Sequence, residues 1–307
     1  MKQIYDVVIA GAGPAGLSAG IYTGRALLKT LILDKGMPGG QILLTDKIEN
    51  YPGFSKEVSS FSLADKFKAQ AEKFGCEINL EEITKIEKER NFWVVTTAEN
   101  KYEAKTVIVA TGSSHRKLDV PGEKEFTGKG VSYCATCDAA FFRDKVVAVI
   151  GGGSYALTEA LFLTKFAKMV YIIHRREQFR AEKLLQKRTQ ENNKINLVMN
   201  SVVTEIRGGL KLQKASILNV KNKKESELKL DGMFVSIGMI PNTDILKGLI
   251  DLNDKGEVIV QKNMETSEQG IFAAGDVTDA CSNQIATAAG AGVEAGLAVN
   301  QYIEKNR

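Results

Sequence analysis

Residues 4–16 read Ile-Tyr-Asp-Val-Val-Ile-Ala-Gly-Ala-Gly-Pro-Ala-Gly. The first seven are mostly apolar and β-branched, the pattern of a buried parallel strand. Three glycines follow at once, and Leu17–Arg25 continue in helical register. A second apolar strand, Thr30–Leu33, ends at Asp34. Gly11 permits a tight turn, Gly13 lets backbone approach a pyrophosphate, and Gly16 lets helix and strand pack closely. The helix N-terminus then faces the phosphates, whose charge its dipole favours. Asp34 stands where ribose hydroxyls need an acceptor. A glycine turn alone is a weak signal and occurs in unrelated α/β proteins. Strand, helix and terminal acid together predict a dinucleotide site.

The pattern returns further along. Val146–Ile150 form an apolar strand, followed by Gly151, Gly152 and Gly153, then Ser154, Tyr155 and a helical stretch to about Phe166. The next strand, Val170–Ile173, leads into His174-Arg175-Arg176, which begins 23 residues after Gly151, as Asp34 lies 23 after Gly11. A carboxylate suits a free 2′-hydroxyl, whereas cations suit a 2′-phosphate, which arginine matches bidentately. The segment 174–181, including Arg180, therefore predicts NADP rather than NAD. The plain alternative for a charge run is a solvated face; its position at a strand end argues otherwise.

Between the two fingerprints lies Cys134-Ala135-Thr136-Cys137, followed by Asp138. This spacing puts two sulfurs within disulfide reach at a turn or first helical turn, and Asp138 is placed to exchange a proton with a leaving thiolate. Zinc needs four suitable ligands. The chain has only two histidines, and its other cysteines, Cys76 and Cys281, stand alone, so no metal is expected and those two read as small, semi-buried residues.

At 307 residues the chain exceeds a typical single domain. Apolar residues at 44% and charged residues at 25% are ordinary for a globular protein. A net charge of +4 is mild and argues against nucleic acid as the main partner. No apolar run reaches the ~18 residues of a membrane span, and the chain enters a strand at Ile4 without a secretory layout. With a close Cys pair of catalytic type, the expected compartment is the cytosol.

The fold class expected is α/β, with two nucleotide-binding domains. The first unit continues with a helix near 62–74, strands near 83–87 and 92–97, and an apolar strand Thr106–Ala110 ending in Thr111-Gly112. Strands near 195–207 and 215–220 follow the second unit. Ile271–Ala274 lead to Gly275-Asp276, and an alanine-rich helix from about Gln284 to Tyr302 packs back on the first domain. The second domain is thus an insertion, giving domains at 1–116 with 244–307 and at 117–243, with Pro121-Gly122 and Pro241-Asn242 near the crossings.

These residues resemble the low-molecular-weight, bacterial-type thioredoxin reductases over nearly the whole chain. The marks are the fingerprint at 11–16, Gly39-Gly40-Gln41, Glu49-Asn50-Tyr51-Pro52-Gly53-Phe54, Ala110-Thr111-Gly112, Cys134–Asp138, Gly151–Gly153, the 174–181 segment and Ala274–Val277. The resemblance implies a disulfide-reductase flavoprotein with FAD in the outer domain and NADPH in the insertion. It places FAD against Gly11, Gly13, Pro14, Ala15, Gly16, Asp34, Lys35, Gly39, Gly40, Gln41, Thr45, Asn50, Thr111, Gly112, Gly275, Asp276, Gln284, Ile285 and Ala286. It places NADPH against Gly151, Gly153, Ser154, Tyr155, His174, Arg175, Arg176 and Arg180. It makes Cys137 the sulfur facing the flavin, Cys134 the one that attacks thioredoxin, and Asp138 the acid/base, in a homodimer. Since Gln301–Arg307 hold no second Cys pair, the same sulfurs serve flavin and partner, and rotation of the insertion about its crossings answers that need. Two departures are Ser154-Tyr155, where a smaller or amide-bearing pair is common, and Asn283, where many members have Arg. Competing readings are a reductase of peroxiredoxins or glutaredoxin-like carriers, an enzyme fed by ferredoxin, and a redox-sensing module without turnover.

Overall fold

The computed structural model describes residues 4–44 and 47–306; Thr45 lies outside the described residues. They form two compact units, one of the residues up to Ser114 with those from Ile240 on, the other His115–Met239.

The first unit is built on a seven-stranded sheet in the order 77–80, 30–34, 4–10, 101–109, 92–97 and 83–89, with 271–273 also pairing 101–109. Strand Ile4–Ala10 lies between Thr30–Asp34 and Lys101–Val109, parallel to both. Its side chains alternate between two cores. Val7 and Ile9 pack with helices Pro14–Arg25, Ser60–Lys73 and Ile285–Lys305. Tyr5 and Val8 face the other way, with Leu31, Leu33, Trp93 and Val95. Burial on both faces explains the near-continuous apolar run in this strand.

The first and last helices touch backbone to backbone. A Cβ on Gly292 would lie 2.0 Å from the Ala15 carbonyl oxygen, and one on Gly296 would lie 2.9 Å from that of Ala19. Overpacking against main chain has no rotamer escape. Gly292→Val is therefore expected to destabilise the protein by about 3 kcal/mol, despite valine's better helix propensity. Denaturant melts read this directly, and an unchanged midpoint would show that the helices tolerate separation.

The second unit holds a five-stranded, all-parallel sheet in the order 131–132, 232–235, 146–150, 169–174 and 195–199. Val147 and Val149 meet helix Ser154–Leu163 on one face, while Ala148 and Ile150 pack against Val203, Ile206 and Met233 on the other. An antiparallel sheet of 201–208, 212–219 and 225–229 completes the unit.

Two sequence expectations change. The stretch 195–207 is not one strand. Asn200, with φ +52°, breaks it, so that 195–199 ends the parallel sheet and 201–208 opens the antiparallel one. The return crossing also comes earlier than 243/244. Asn242 is bound into the first unit: its N–H donates to the Gly112 carbonyl at 2.9 Å and its side-chain amide to the Thr111 carbonyl at 2.8 Å. Those bonds carry 240–243 with the first unit.

Candidate functional site

The first fingerprint is a turn that leaves no room for side chains at two of its glycines. Gly11 has φ +115°, and a Cβ there would lie 2.2 Å from the Ala110 carbonyl oxygen. One on Gly16 would lie 1.8 Å from the Gly11 carbonyl oxygen. A Cβ on Gly13, by contrast, would meet nothing within 4 Å, so this glycine faces open space. It caps helix Pro14–Arg25, and Pro14 occupies the first helical position, where no N–H bond is lost. Ala15 is buried beneath the last helix.

Asp34 braces this turn. Its Oδ2 accepts from the Ala12 N–H at 2.6 Å and its Oδ1 from the Gly36 N–H at 2.9 Å. Each oxygen keeps a further lone pair. Gly11, Asp34, Lys35 and Thr111 line one cleft of about 230 Å³, together with Glu81, Glu82, Asn242 and Asp244. Sequence does not single out the last four, because they come from loops far apart in the chain. Burial pushes the Glu81 carboxyl up, but hydrogen bonds from Thr97, Tyr102 and Asn100 outweigh it and hold the group below its ordinary value.

Other residues expected from sequence gather in the same unit. The Gly39 N–H donates to the Ala12 carbonyl at 2.7 Å, which brings Gly39-Gly40-Gln41 against the fingerprint. Gln41 Nε2 donates to Ser113 O at 3.0 Å and to its Oγ at 2.9 Å. Asn50 Nδ2 reaches Gln284 Oε1 at 3.2 Å, joining residues 234 apart. Gln284 caps the last helix, which Ile285 and Ala286 begin, in a reciprocal capping box with Thr287. The Thr111 hydroxyl is directed to the Asn242 carbonyl at 2.8 Å, and Gly112 and Gly275 take φ of +64° and +82°. Asp276 is held above its ordinary carboxylate range by burial, against the hydrogen bond from Cys281, whose Sγ lies 3.4 Å from Oδ1. Cys281 thus touches an expected site residue. Cys76 is buried, with its thiol pushed up to about 11 by burial and its Sγ 3.0 Å from the Gly20 carbonyl.

The second fingerprint repeats the logic. A Cβ on Gly151 would lie 2.3 Å from the Ser236 carbonyl oxygen, whereas Gly153 faces open space and caps helix Ser154–Leu163. The chain after the next strand folds back over this turn: the Arg180 N–H donates to Gly152 O at 2.8 Å and the Glu182 N–H to Ser154 Oγ at 3.1 Å. His174 does not share the exposure of its neighbours. Its ring is buried against Gly152, where a Cβ would meet it at 2.4 Å, and its Nε2 lies 3.2 Å from Gln178 O. Burial, with Arg180, Arg176 and Arg175 nearby, pushes the imidazole below its ordinary value despite the Gln178 bond. The charge at this edge is therefore carried by Arg175, Arg176 and Arg180, all exposed, and His174 shapes the turn beneath them.

In the same unit Cys134 and Cys137 form a disulfide with Cα atoms 5.4 Å apart. Cys134 caps the short helix Ala135–Asp138, and its Sγ accepts from the Cys137 N–H at 3.1 Å. Cys137 is exposed, while Cys134 and Asp138 are half-buried. The N–H of Ala135, between the sulfurs, donates to Glu159 Oε1 at 2.8 Å. Glu159 carries no mark in the sequence, where it reads as one more polar residue of a helix. Tyr155 precedes it by one turn, with its ring 5.6 Å from that of His115.

Known proteins share the sequence and fold over the whole length of the chain. Residues 5–295 match the family described as pyridine nucleotide-disulphide oxidoreductase. The thioredoxin reductase of Bacillus subtilis (strain 168) is 42% identical over 305 residues, covering 99% of this chain and 96% of that protein. That of Treponema pallidum (strain Nichols) is 44% identical over 304 residues, 99% of each. The crystal structure of Lactococcus lactis thioredoxin reductase is 40% identical and superposes with a TM-score of 0.96 over 98% of this chain and 99% of that one. Two tight glycine turns, each between a parallel strand and a helix, a disulfide on the unit of the second, and full-length similarity lead to one assignment: the chain belongs to the pyridine nucleotide-disulphide oxidoreductase family, and within it to the low-molecular-weight thioredoxin reductases.

Proposed function

We propose that this protein is an NADPH-dependent, FAD-containing reductase of the disulfide of thioredoxin or a thioredoxin-like protein. The observation that carries the reading is the Cys134–Cys137 disulfide, borne by the unit whose second fingerprint ends in exposed arginines. The residues present suit both nucleotides. Gly13 and Gly153 face open space beside glycines whose turns exclude any side chain, which is the shape a pyrophosphate needs. Asp34, Gln41, Asn50, Asp276 and Gln284 would hold FAD, and Ser154, Arg175, Arg176 and Arg180 would hold NADPH, with the arginines on its 2′-phosphate. When bound, the two cofactors supply the hydride and electron transfer that reduces the disulfide.

The protein's own part is thiol exchange. The Cys134 thiolate attacks one sulfur of the partner's disulfide, and the other sulfur leaves as a thiolate. Cys137 then attacks Cys134, releasing the reduced partner and restoring the Cys134–Cys137 bond. Asp138, on the same turn, supplies the proton that a departing thiolate takes up. Cys137 is the sulfur assigned to the flavin.

A homodimer goes with this reading, and gel filtration reads it as roughly twice the 33.5 kDa of the chain. Among the described residues no helix is long and apolar enough to cross a membrane, and a cytosolic setting suits a pair that must be reduced and reoxidised.

The test is the chromophore. The purified protein is expected to be yellow, with about one FAD per chain released on denaturation and identified by chromatography. A colourless protein that gains no activity with added FAD would refute the flavin assignment.

A further inference from the structure

Glu159 sits on the inward face of helix Ser154–Leu163, 4% exposed, among Ala156, Leu157, Ala160 and Leu163. A carboxylate persists in such a place only when donors replace water. Here two do so. The Ala135 N–H donates to Oε1 at 2.8 Å and the Ser236 hydroxyl donates to Oε2. Burial outweighs the bonds from Ser236 and Ala135 and holds the carboxyl above its ordinary range. A backbone N–H has no acceptor role, and with the Ser236 hydroxyl it offers two hydrogen bonds to an anion.

The two donors come from different parts of the unit. Ala135 lies between the two sulfurs, and Ser236 follows strand Gly232–Val235 with its carbonyl against Gly151. One carboxylate ties the dithiol turn to the second fingerprint. The Ala135 N–H is taken up by this carboxylate, while the Cys137 N–H points at Cys134 Sγ.

We propose that Glu159 is a positioning residue for the reduced dithiol: held on the Ala135 N–H, its negative charge sets how readily the Cys134 thiol ionises. This rests on the reading of Cys134–Cys137 as the redox-active pair. A thiolate loses intrinsic nucleophilicity as its acidity rises, so a nearby anion that keeps Cys134 a weaker acid keeps it a stronger attacker. The titratable groups about the pair are Tyr155 on the same helix, Cys137 and Asp138 on the dithiol turn, His115 against the Tyr155 ring, and His174 at the end of the adjoining strand. Helix Lys183–Gln190, which packs on the fingerprint helix, has its charged side chains exposed.

The test is the pH dependence of iodoacetamide alkylation of Cys134, read by peptide mass, in holoenzyme reduced with tris(2-carboxyethyl)phosphine. Glu159→Gln keeps an acceptor for the Ala135 N–H and removes the charge. Its alkylation midpoint is expected to fall by about one pH unit, roughly tenfold more thiolate at a given pH below the midpoint. Ser236→Ala removes one donor, leaves Glu159 neutral more of the time, and moves the midpoint the same way by less. It decides the matter if Glu159→Gln does not fold. A folded Glu159→Gln protein with the wild-type midpoint, or a higher one, overturns the proposal, as does an unmoved or raised midpoint in Ser236→Ala. Thioredoxin-dependent turnover of the wild type tests the redox reading separately, because alkylation needs neither NADPH nor thioredoxin.

Discussion

Serine in place of either Cys134 or Cys137 is expected to lower thioredoxin reduction roughly a thousandfold or more, while the flavin still accepts hydride from NADPH. Flavin reduction needs the two nucleotide sites, built from residues the substitutions leave alone. Disulfide exchange needs both sulfurs, one to attack and one to resolve. The variants also separate the roles. With Cys137 facing the flavin, Cys134→Ser leaves a thiolate beside the isoalloxazine and shows a long-wavelength charge-transfer band when oxidised. Cys137→Ser lacks the band and traps, through Cys134, a thioredoxin deprived of its resolving cysteine. The structure already makes the two cysteines unequal, since Cys134 is half-buried and its Sγ accepts the Cys137 N–H whereas Cys137 is exposed. The reverse pattern of bands would exchange the roles. Wild-type turnover by either variant would remove the dithiol mechanism.

The second large effect concerns coenzyme choice. Arg175 and Arg176 are exposed at the strand end, beside a buried His174 whose imidazole is held below its ordinary value by burial. A charge-assisted contact to phosphate contributes about 1.5–3 kcal/mol, with the lower end apt for solvent-exposed groups. Two such contacts give about 3 kcal/mol, roughly a hundredfold. Arg175→Ala/Arg176→Ala is therefore expected to lower kcat/KM for NADPH about a hundredfold and to leave NADH nearly unchanged. The fold of the segment should survive, because the bond from Arg180 to Gly152 is made by backbone. An unaltered NADPH preference in the double variant would move the 2′-phosphate elsewhere.

Glycines make much of this legible. A turn that excludes a Cβ at Gly11, Gly16 and Gly151 leaves a mark no other residue can carry, and the strands beside it are apolar because both their faces are covered. The Cys134–Cys137 pair is legible because its partners are three residues apart. What escapes is non-local. Glu159 finds its donors 24 and 77 residues away, at Ala135 and Ser236, and nothing near it in sequence distinguishes it from a surface glutamate. Glu81, Asn242 and Asp244 reach the first cleft by the same long-range assembly. His174 reads with its cationic neighbours because order along a strand end does not say which side chain turns under the glycine turn. The break at Asn200 is hidden for a related reason: both flanking segments are strand-forming, and only a positive φ at one residue separates the sheets they join.

Electrons from NADPH are expected to reach a protein disulfide through this chain. The most direct measurement is steady-state oxidation of NADPH and of NADH by the purified yellow protein, with and without oxidised thioredoxin. Slow oxidation of either coenzyme alone is expected, with a large rise on adding thioredoxin with NADPH, stoichiometric appearance of thioredoxin thiols, and little response with NADH. Equal use of both coenzymes, or NADPH oxidation that thioredoxin does not accelerate, would contradict it.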